Sequence, residues 1–496
     1  MALSMSTMVP SGEPHVCRRA TFMPASNSSG PAMAGRFEFF RKEIKWRVTS
    51  NLLPKRSFLV ARSTLVTKME TKGRDAAKTK QQKLADIWRE IHGKDDWAGL
   101  LDPFDSLLRA ELIRYGEMAQ ACYDAFDNDP YSKYCGSCRY KPSELFQALG
   151  LANHGYEVTR YLFATYNVNI PKLFRRSRLP KMWSQNANWM GFVSVSNDET
   201  SARLGRRDIT IAWRGTMTDP EIIADLMNFL SPAKLHNIPS PDLGVKVESG
   251  FLDLYTEKDE TCRFCKLSAR EMVLSEVLKL MDQYKDEDLS ITITGHSLGS
   301  AHAILNAYDI AETGINMRRD GSVVPVCVIS FAGPRVGNQR FKRRVEELGV
   351  KVLRVVNIHD KVPKVPGIFF NEKTNPVFRK LGEMSPWDYS HVGEELALDH
   401  THSSFLKETS DLANFHNLEM YLHLLDGYRG KGERFLLHSG RDVALVNKSA
   451  DLLKDYYQIP PNWCQPKNKG LVRNHDGRWT QPDRPCLYDH IVEDHH

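Results

Sequence analysis

The chain has 496 residues, of which 41% are hydrophobic and 26% are charged, proportions that are ordinary for a globular protein. It has no apolar run of about 18 residues, which excludes a segment that spans a bilayer as a helix. The formal net charge is +6, but residues 1–68 hold 11 Lys and Arg against 3 Glu, so the rest of the chain is slightly acidic. This distribution argues against a broad nucleic-acid-binding surface on the folded part.

Residues 1–68 are predicted to be a disordered targeting segment. Their first 29 residues are rich in Ser, Met, Ala and Pro, and they contain Arg18 and Arg19 but only one acidic residue, Glu13. Acid-poor, Ser-rich segments with arginine are typical of organelle transit peptides, and cleavage would fall between about 30 and 75. A merely disordered basic tail has the same composition. Composition alone does not distinguish a chloroplast from a mitochondrial address.

A charged linker is predicted over 69–83, followed by one folded domain over 84–485 and a tail over 486–496. Helical periodicity predicts helices over 88–97 and 107–126. The secondary structure of 152–167 is undecided, and 198–207 is interpreted as a polar turn. The remaining elements alternate: strands at 192–196, 208–213, 291–294, 324–331 and 351–357, and helices at 220–230, 267–285, 300–313 and 337–347. Such an alternation predicts an α/β domain with a mostly parallel central sheet flanked by helices.

A pentapeptide of the G-x-S-x-G type, Gly295-His296-Ser297-Leu298-Gly299, lies between a strand pattern and a run of helix formers. This context is that of a nucleophile elbow, in which a serine occupies a sharp strand-to-helix turn. Glycines would flank the turn because a Cβ there would collide with the neighbouring strand or helix. A five-residue pattern can also match by chance, and the flanking strand and helix are what favour the functional interpretation.

A catalytic serine needs an acid and a base, and in an α/β-hydrolase both follow it along the chain. Asp360 comes just after strand 351–357 and is therefore expected at the same sheet edge as the elbow. It is preferred over Asp399, which lies among competing charges. A turn or helix-cap role is the alternative for Asp360.

Five histidines follow the strand, at 391, 400, 402, 416 and 423. His416 is favoured as the base because it falls where a loop meets a predicted helix over 418–425, a position from which a side chain can reach the sheet edge. His423, seven residues later on the same helical face, is the second choice.

The oxyanion hole is predicted to combine the N–H of Leu298, which follows the nucleophile, with that of Thr216, in the loop after strand 208–213. The next residues form a short amphipathic segment at the place where a lid is expected, and an ordinary surface helix is the alternative. This predicted lid comprises Met217, Thr218, Asp219, Pro220, Glu221, Ile222 and Ile223.

Several motifs together resemble one known family. They are AWRGT at 212–216, GHSLG at 295–299, FAGPRVG at 331–337 and NIHDKVP at 357–363. This set is similar to the class 3 lipases of the α/β-hydrolase fold. Further matches are WAGLLDP at 97–103, YGE at 115–117, NWMGF at 188–192, FHNLEMYLH at 415–423, SGRD at 439–442 and DGRW at 476–479. With these, residues 84–485 resemble the plastid phospholipases A1 of plants, in particular their gamma subgroup.

The resemblance implies that Ser297, Asp360 and His416 are nucleophile, acid and base, and that neither a metal nor a cofactor is needed. It also implies cleavage of the sn-1 ester of phosphatidylcholine and galactolipids, and of triacylglycerol as a further substrate. The expected location is the chloroplast, at the periphery of membranes or plastoglobules. One departure is Ser249, which stands before Gly250-Phe251 where many class 3 lipases have histidine.

Two alternatives to a lipid hydrolase stay open on sequence alone. One is a soluble esterase that acts on small esters, and the other is a non-catalytic lipid-binding protein on a hydrolase fold. An exposed apolar loop at 368–370 is predicted to help the protein dock on membranes.

Nine cysteines include two C-x-x-C pairs, at 135/138 and 262/265. The pairs are far more widely separated than the ligand pairs of a zinc ribbon. Structural thiols are the favoured interpretation, with metal ligation and redox activity as alternatives.

Overall fold

The computed structural model describes residues 83–129, 131–132, 134–165, 187–216, 230–233, 235, 242–366, 388–408, 412–465, 472–475 and 477–480. The predicted targeting segment, the lid at 217–223 and the apolar loop at 368–370 all lie outside the described residues, as does nearly all of the helix predicted at 220–230.

Ten α-helices occur in the described part of the chain. They are α1 (Leu84–Ile91), α2 (Ser106–Asp124), α3 (Leu145–Ala148), α4 (Asp198–Leu204), α5 (Ser249–Thr256), α6 (Ala269–Gln283), α7 (Leu298–Glu312), α8 (Gln339–Glu347), α9 (Leu412–Phe415) and α10 (Leu418–Gly427). Short 3₁₀ helices lie at Pro142–Glu144, Ala152–His154, Val362–Lys364, His400–His402, Val443–Asn447 and Asp455–Tyr457. Side-chain caps fix where two long helices begin: Asp105 accepts hydrogen bonds from the second and third backbone N–H groups of α2, and Ser268 forms a capping box with Glu271 on α6.

The described strands are β1 (Tyr156–Ala164), β2 (Asn188–Ser196), β3 (Arg207–Trp213), β4 (Leu230–Pro232), β5 (Lys246–Glu248), β6 (Leu289–His296), β7 (Val326–Phe331), β8 (Lys351–Asn357), β9 (Glu394–Leu398), β10 (Val472–Arg473) and β11 (Trp479–Thr480). Seven of them form the central sheet in the order β1-β2-β3-β6-β7-β8-β9. The β1–β2 and β2–β3 pairs are antiparallel, and the pairs from β3 to β9 are parallel. The predicted α/β class with a mostly parallel sheet is confirmed.

Helices cover both faces of the central sheet. The central strands can be buried on both faces because their side chains are apolar or form hydrogen bonds. In β3, Ile209, Ile211 and Trp213 belong to the apolar core that includes α6 and α7, whereas Ala212 belongs to the core that includes α2 and α10. Among the described residues, none of the helices combines the length and apolar composition needed to cross a bilayer.

Two sequence interpretations are wrong in detail. The segment read as a polar turn after residue 197 is helix α4, because the side chain of Asn197 accepts a hydrogen bond from the backbone N–H of Thr200 and caps it. The first predicted helix stops at Ile91 instead of reaching Trp97, which has a positive φ of 57°. The undecided segment at 152–167 contains strand β1 at the antiparallel edge of the sheet.

Candidate active site

Ser297 lies in a sharp turn between a strand and a helix, the context that the predicted nucleophile elbow requires. Strand β6 ends at His296, helix α7 begins at Leu298, and Ser297 between them has φ 60° and ψ −126°. A Cβ on Gly295 would lie 2.3 Å from the carbonyl carbon of Gly299, and a Cβ on Gly299 would lie 2.2 Å from the carbonyl oxygen of Trp213. The strained backbone of Ser297 is therefore held between two close approaches that only glycine permits.

Asp360 and His416 form a buried pair at the carboxyl end of the parallel strands. Asp360 follows β8, His416 lies between α9 and α10, and the imidazole Nδ1 donates to the carboxylate Oδ2 over 2.7 Å. The second oxygen, Oδ1, accepts from the backbone N–H of Val362 at 2.9 Å, which fixes the plane of the carboxylate. Because Nδ1 is the donor, Nε2 of a neutral His416 ring is an acceptor.

Tyr421 is a site residue that the sequence analysis did not single out. Its hydroxyl donates to Oδ2 of Asp360 at 2.7 Å and accepts from the backbone N–H of Asn357 at 3.0 Å. Burial raises the pKa of Tyr421 well above its usual value, so the hydroxyl remains a donor. The sequence offers one indication of this role. Tyr421 lies in the first turn of the helix that begins just after His416, and it is therefore expected near the edge of the sheet that His416 reaches.

His296 connects the elbow to the Asp360–His416 pair. Its ring packs against the His416 ring with centroids 4.5 Å apart, and its Nδ1 is hydrogen-bonded to the hydroxyl of Tyr123 at 2.8 Å. Burial and the neighbouring His416 lower the pKa of His296 well below its usual value, so this ring is neutral at physiological pH. The packing places His416 beside the residue that precedes Ser297.

Three of the predicted catalytic and oxyanion-hole residues carry a buried polar atom without a hydrogen-bond partner among the described residues. These atoms are Oγ of Ser297, Nε2 of His416 and Oγ1 of Thr216. Burying a polar atom without a partner is costly, and such atoms often mark a functional site. Two hydroxyls and one imidazole nitrogen of these residues have no hydrogen-bond partner among the described residues.

The loop after β3 approaches the elbow closely. A Cβ on Gly215 would lie 2.4 Å from the carbonyl oxygen of His296, and the guanidinium of Arg214 holds the loop by donating to the carbonyl oxygen of Trp189 at 2.8 Å. Thr216 follows Gly215 and is 7% exposed. Leu298, the other predicted donor, opens α7, where the first backbone N–H groups of a helix have no acceptor within the helix.

The competing residues have other partners. His423, the second choice for the base, is hydrogen-bonded through Nε2 to Oγ of Ser403 at 2.7 Å, and burial lowers its pKa to about 4. Asp399 accepts from the backbone N–H of Thr401 at 2.9 Å and does not pair with His416. The structure thus pairs His416 with Asp360 and packs the His416 ring against His296, the residue before Ser297, whereas His423 and Asp399 have other partners.

Of the C-x-x-C cysteines, Cys138, Cys262 and Cys265 are free thiols. Within the described residues, the side chains with metal-ligand spacing are instead His359, Asp399 and His400, next to the site.

Comparison with known proteins gives a consistent result. The family described as Lipase (class 3) matches residues 210–370. Phospholipase A1-Igamma2, chloroplastic, of Arabidopsis thaliana is 60% identical over 435 residues, which cover 87% of this chain and 82% of that protein. Phospholipase A1-Igamma1, chloroplastic, of the same plant is 59% identical over 437 residues, covering 87% and 85%. The lipase Lip2 of Yarrowia lipolytica is a similar solved structure, with 20% identity, a TM-score of 0.38 and coverage of 59% and 81%.

The two plant relatives are named as chloroplast proteins, in agreement with the plastid location that the sequence analysis expected. Their identity extends far beyond the motifs, over most of the length of both chains. The chain is a carboxylic ester hydrolase that belongs to the class 3 lipase family, within its group of plant phospholipases A1.

Proposed function

We propose that this chain hydrolyses the sn-1 acyl ester of polar membrane lipids, phosphatidylcholine and galactolipids, with triacylglycerol as a further substrate. The observation that carries the proposal is a His416 ring that is oriented by Asp360 and packed against His296, the residue before Ser297, whose Oγ is buried and unpartnered among the described residues. The names of the plant relatives support the choice of a phospholipid and of the A1 position.

In the first step, Nε2 of His416 takes the proton from Ser297 as Oγ attacks the ester carbonyl carbon. Asp360 keeps Nδ1 protonated and stabilises the positive charge that develops on the imidazole. The proton then passes from Nε2 to the leaving oxygen, so that a lysolipid departs and the fatty acid remains esterified to Ser297. Water repeats the sequence and releases the fatty acid.

The negative charge on the carbonyl oxygen would be stabilised by the backbone N–H groups of Leu298 and Thr216. The unpartnered hydroxyl of Thr216 can donate a third hydrogen bond. Each such donor is worth about 2.7–4 kcal/mol in the transition state. Loss of the hydroxyl alone should therefore lower turnover without abolishing it.

A bilayer substrate requires contact with a membrane surface, and we infer that the edge of the sheet that carries the site makes this contact. Ile358, two residues before Asp360, is 44% exposed and offers an apolar side chain there. The apolar loop predicted at 368–370 would provide a further contact with the membrane.

The test uses vesicles of phosphatidylcholine, or of galactolipid, with different acyl chains at the two positions. We expect release of the sn-1 fatty acid and accumulation of the 2-acyl lysolipid, and loss of both in Ser297→Ala. A monomeric short-chain ester, assayed in parallel, identifies a soluble esterase.

Equal turnover of the monomeric ester and of vesicles, or release of sn-2 fatty acid, would contradict the proposed substrate class and position. Unchanged lipid hydrolysis in Ser297→Ala would contradict the proposed nucleophile.

A further inference from the structure

Three side chains with metal-binding chemistry lie together beside the proposed active site and take no part in the proposed reaction. His359 precedes Asp360, while Asp399 and His400 follow β9, the neighbouring strand of the sheet. One potential ligand atom from each lies within 4.8 Å of the others. The parallel pairing of β8 with β9 brings the two loops to the same edge.

The distances suit a small ion. Nε2 of His359 and Oδ1 of Asp399 are 3.2 Å apart. In a tetrahedral zinc site with bonds of about 2.0–2.1 Å, neighbouring ligand atoms are separated by about 3.3–3.4 Å, so this pair already has nearly the required spacing. His400 is the third member of the set, and its ring lies against that of His359 with centroids 4.7 Å apart.

Two further observations concern Asp399 and His400. Asp399 also accepts from the backbone N–H and the hydroxyl of Thr401, at 2.9 and 2.7 Å, through Oδ1. These bonds hold the carboxylate in place whether or not an ion is bound. His400 is 6% exposed, and its Nδ1 is buried without a hydrogen-bond partner among the described residues. An unpartnered nitrogen on a buried ring is a feature that a metal ligand would explain.

We propose that His359, Asp399 and His400 form a binding site for a divalent transition-metal ion of the Zn²⁺ class. Two imidazoles and one carboxylate are the donors that zinc accepts, and a water molecule would complete a tetrahedron. The side chains of His359 and Asp399 are 39% and 22% exposed, so an ion can enter from solvent.

The site would join the two loops that flank the proposed catalytic pair. Phe415, the residue before His416, packs its ring against that of His400 at 4.7 Å, and His359 is bonded to Asp360 along the chain. A bound ion would hold these segments together and stabilise the folded protein by mass action. The proposal does not depend on the proposed function, because binding is measured without turnover.

The experiment titrates the full chain, first stripped with a chelator, with Zn²⁺ by calorimetry, and with Co²⁺ by visible absorption. We expect one site of higher affinity per chain, an intense tetrahedral Co²⁺ spectrum and a higher unfolding temperature with Zn²⁺. His359→Gln, at a partly exposed position, should weaken this binding by about tenfold or more.

His402→Gln is the matched control, since this exposed histidine lies in the same short helix as His400 but outside the ligand set. It should keep the high-affinity site, which separates that site from weak binding by the other histidines of the chain. Absence of a site in the native chain, or equal affinity in His359→Gln, would overturn the proposal.

Discussion

Tyr421 is the side chain that links Asp360 to the strand before it. One hydroxyl both donates to the carboxylate and accepts from the backbone of Asn357, so the acid is fixed to the end of β8 through a helix residue. Hydrogen bonds to a charged group contribute about 1.5–3 kcal/mol, more than those between neutral groups. We therefore infer that Tyr421 is a positioning residue that acts through Asp360.

We expect Tyr421→Phe to lower both stability and turnover. The change leaves the backbone N–H of Asn357 without its acceptor and removes one of the hydrogen bonds that hold Asp360. The free energy of unfolding should fall by about 1–3 kcal/mol. It is measured by urea denaturation, and kcat/KM for a short-chain ester is measured alongside.

The matched comparison is Tyr456→Phe, because Tyr456 is 86% exposed. This variant should match the native protein in both measurements. If Tyr421→Phe also does so, the assigned role of Tyr421 is wrong.

Individual site residues can be predicted from the sequence where they belong to a contiguous motif or directly follow a recognisable strand or helix. Ser297 is predicted because the G-x-S-x-G motif is contiguous, and Asp360 because it follows a recognisable strand. His416 was one of five histidines, and choosing it from the residues required an argument about where loops meet helices. The contacts of Tyr421 with Asp360 and of Tyr123 with His296 could not be predicted, since they depend on distances between elements far apart in sequence.

Helix α7 shows how closely the elements approach one another around the site. Its first turn contains Gly299, which lies against the carbonyl oxygen of Trp213 at the end of β3. Gly314 follows the other end of the same helix, with φ 71° and open space where a Cβ would lie. Gly299 is therefore required because there is no space for a Cβ, whereas Gly314 is favoured only because of its left-handed backbone conformation.

Gly299→Ala is expected to prevent the elbow from forming. The added Cβ would be placed 2.2 Å from a backbone oxygen, so that β3 or α7 must shift. We expect little folded protein and no esterase activity. Gly314→Ala should lower the free energy of unfolding by only about 1–2 kcal/mol, because a residue with a Cβ is less stable in a left-handed conformation.

The measurement is thermal unfolding by circular dichroism, together with esterase activity, in both variants. A Gly299→Ala protein with native stability and activity would show that the helix and strand are not as close as described.

The elements themselves were mostly predictable, because hydrophobic periodicity is a local property. Strand β8 occurs at the predicted residues, and α6 and α8 begin and end within two residues of the predicted limits. Helix α4 was missed because it is short and polar, so that its composition is that of a turn. Strand β1 was undecided because irregularities in its pairing with β2 interrupt the alternation of buried and exposed residues.

Across the whole molecule, several histidines are buried away from the proposed reaction. Burial lowers the pKa of His92 to about 3 and of His302 and His423 to about 4. These rings are neutral in the folded protein at pH 5, whereas in the unfolded chain they have a pKa of about 6.5 and take up protons. Below that pH the unfolded state binds more protons, so acid favours unfolding.

We therefore expect the free energy of unfolding to be highest above about pH 6.5 and to fall as the pH is lowered to 5. Each such histidine contributes about 1.4 kcal/mol per pH unit in this interval. Urea denaturation at several pH values measures the slope. His92→Gln removes one of the titrating rings, so it should reduce this slope by the contribution of one histidine, about 1.4 kcal/mol per pH unit. A free energy of unfolding that does not change between pH 7 and 5 would contradict the burial of these rings.

The sequence could predict the mostly parallel sheet but not the whole of its order. Strand–helix alternation indicates parallel pairing for β6, β7 and β8, whereas nothing local shows that β1 and β2 extend the sheet in antiparallel fashion. Strand β9 joins the other edge after a long intervening segment. Such pairings depend on contacts between distant parts of the chain, which a single sequence does not reveal.

The central claim is that Ser297 is a nucleophile activated by His416. The most direct test is the rate at which a fluorophosphonate modifies the protein, with the modified residue identified by peptide mass. We predict a single adduct on Ser297, formed about 10³-fold or more slowly in His416→Ala and at a near-native rate in His423→Gln. An adduct on another residue, or equal rates in His416→Ala and the native protein, would contradict the claim.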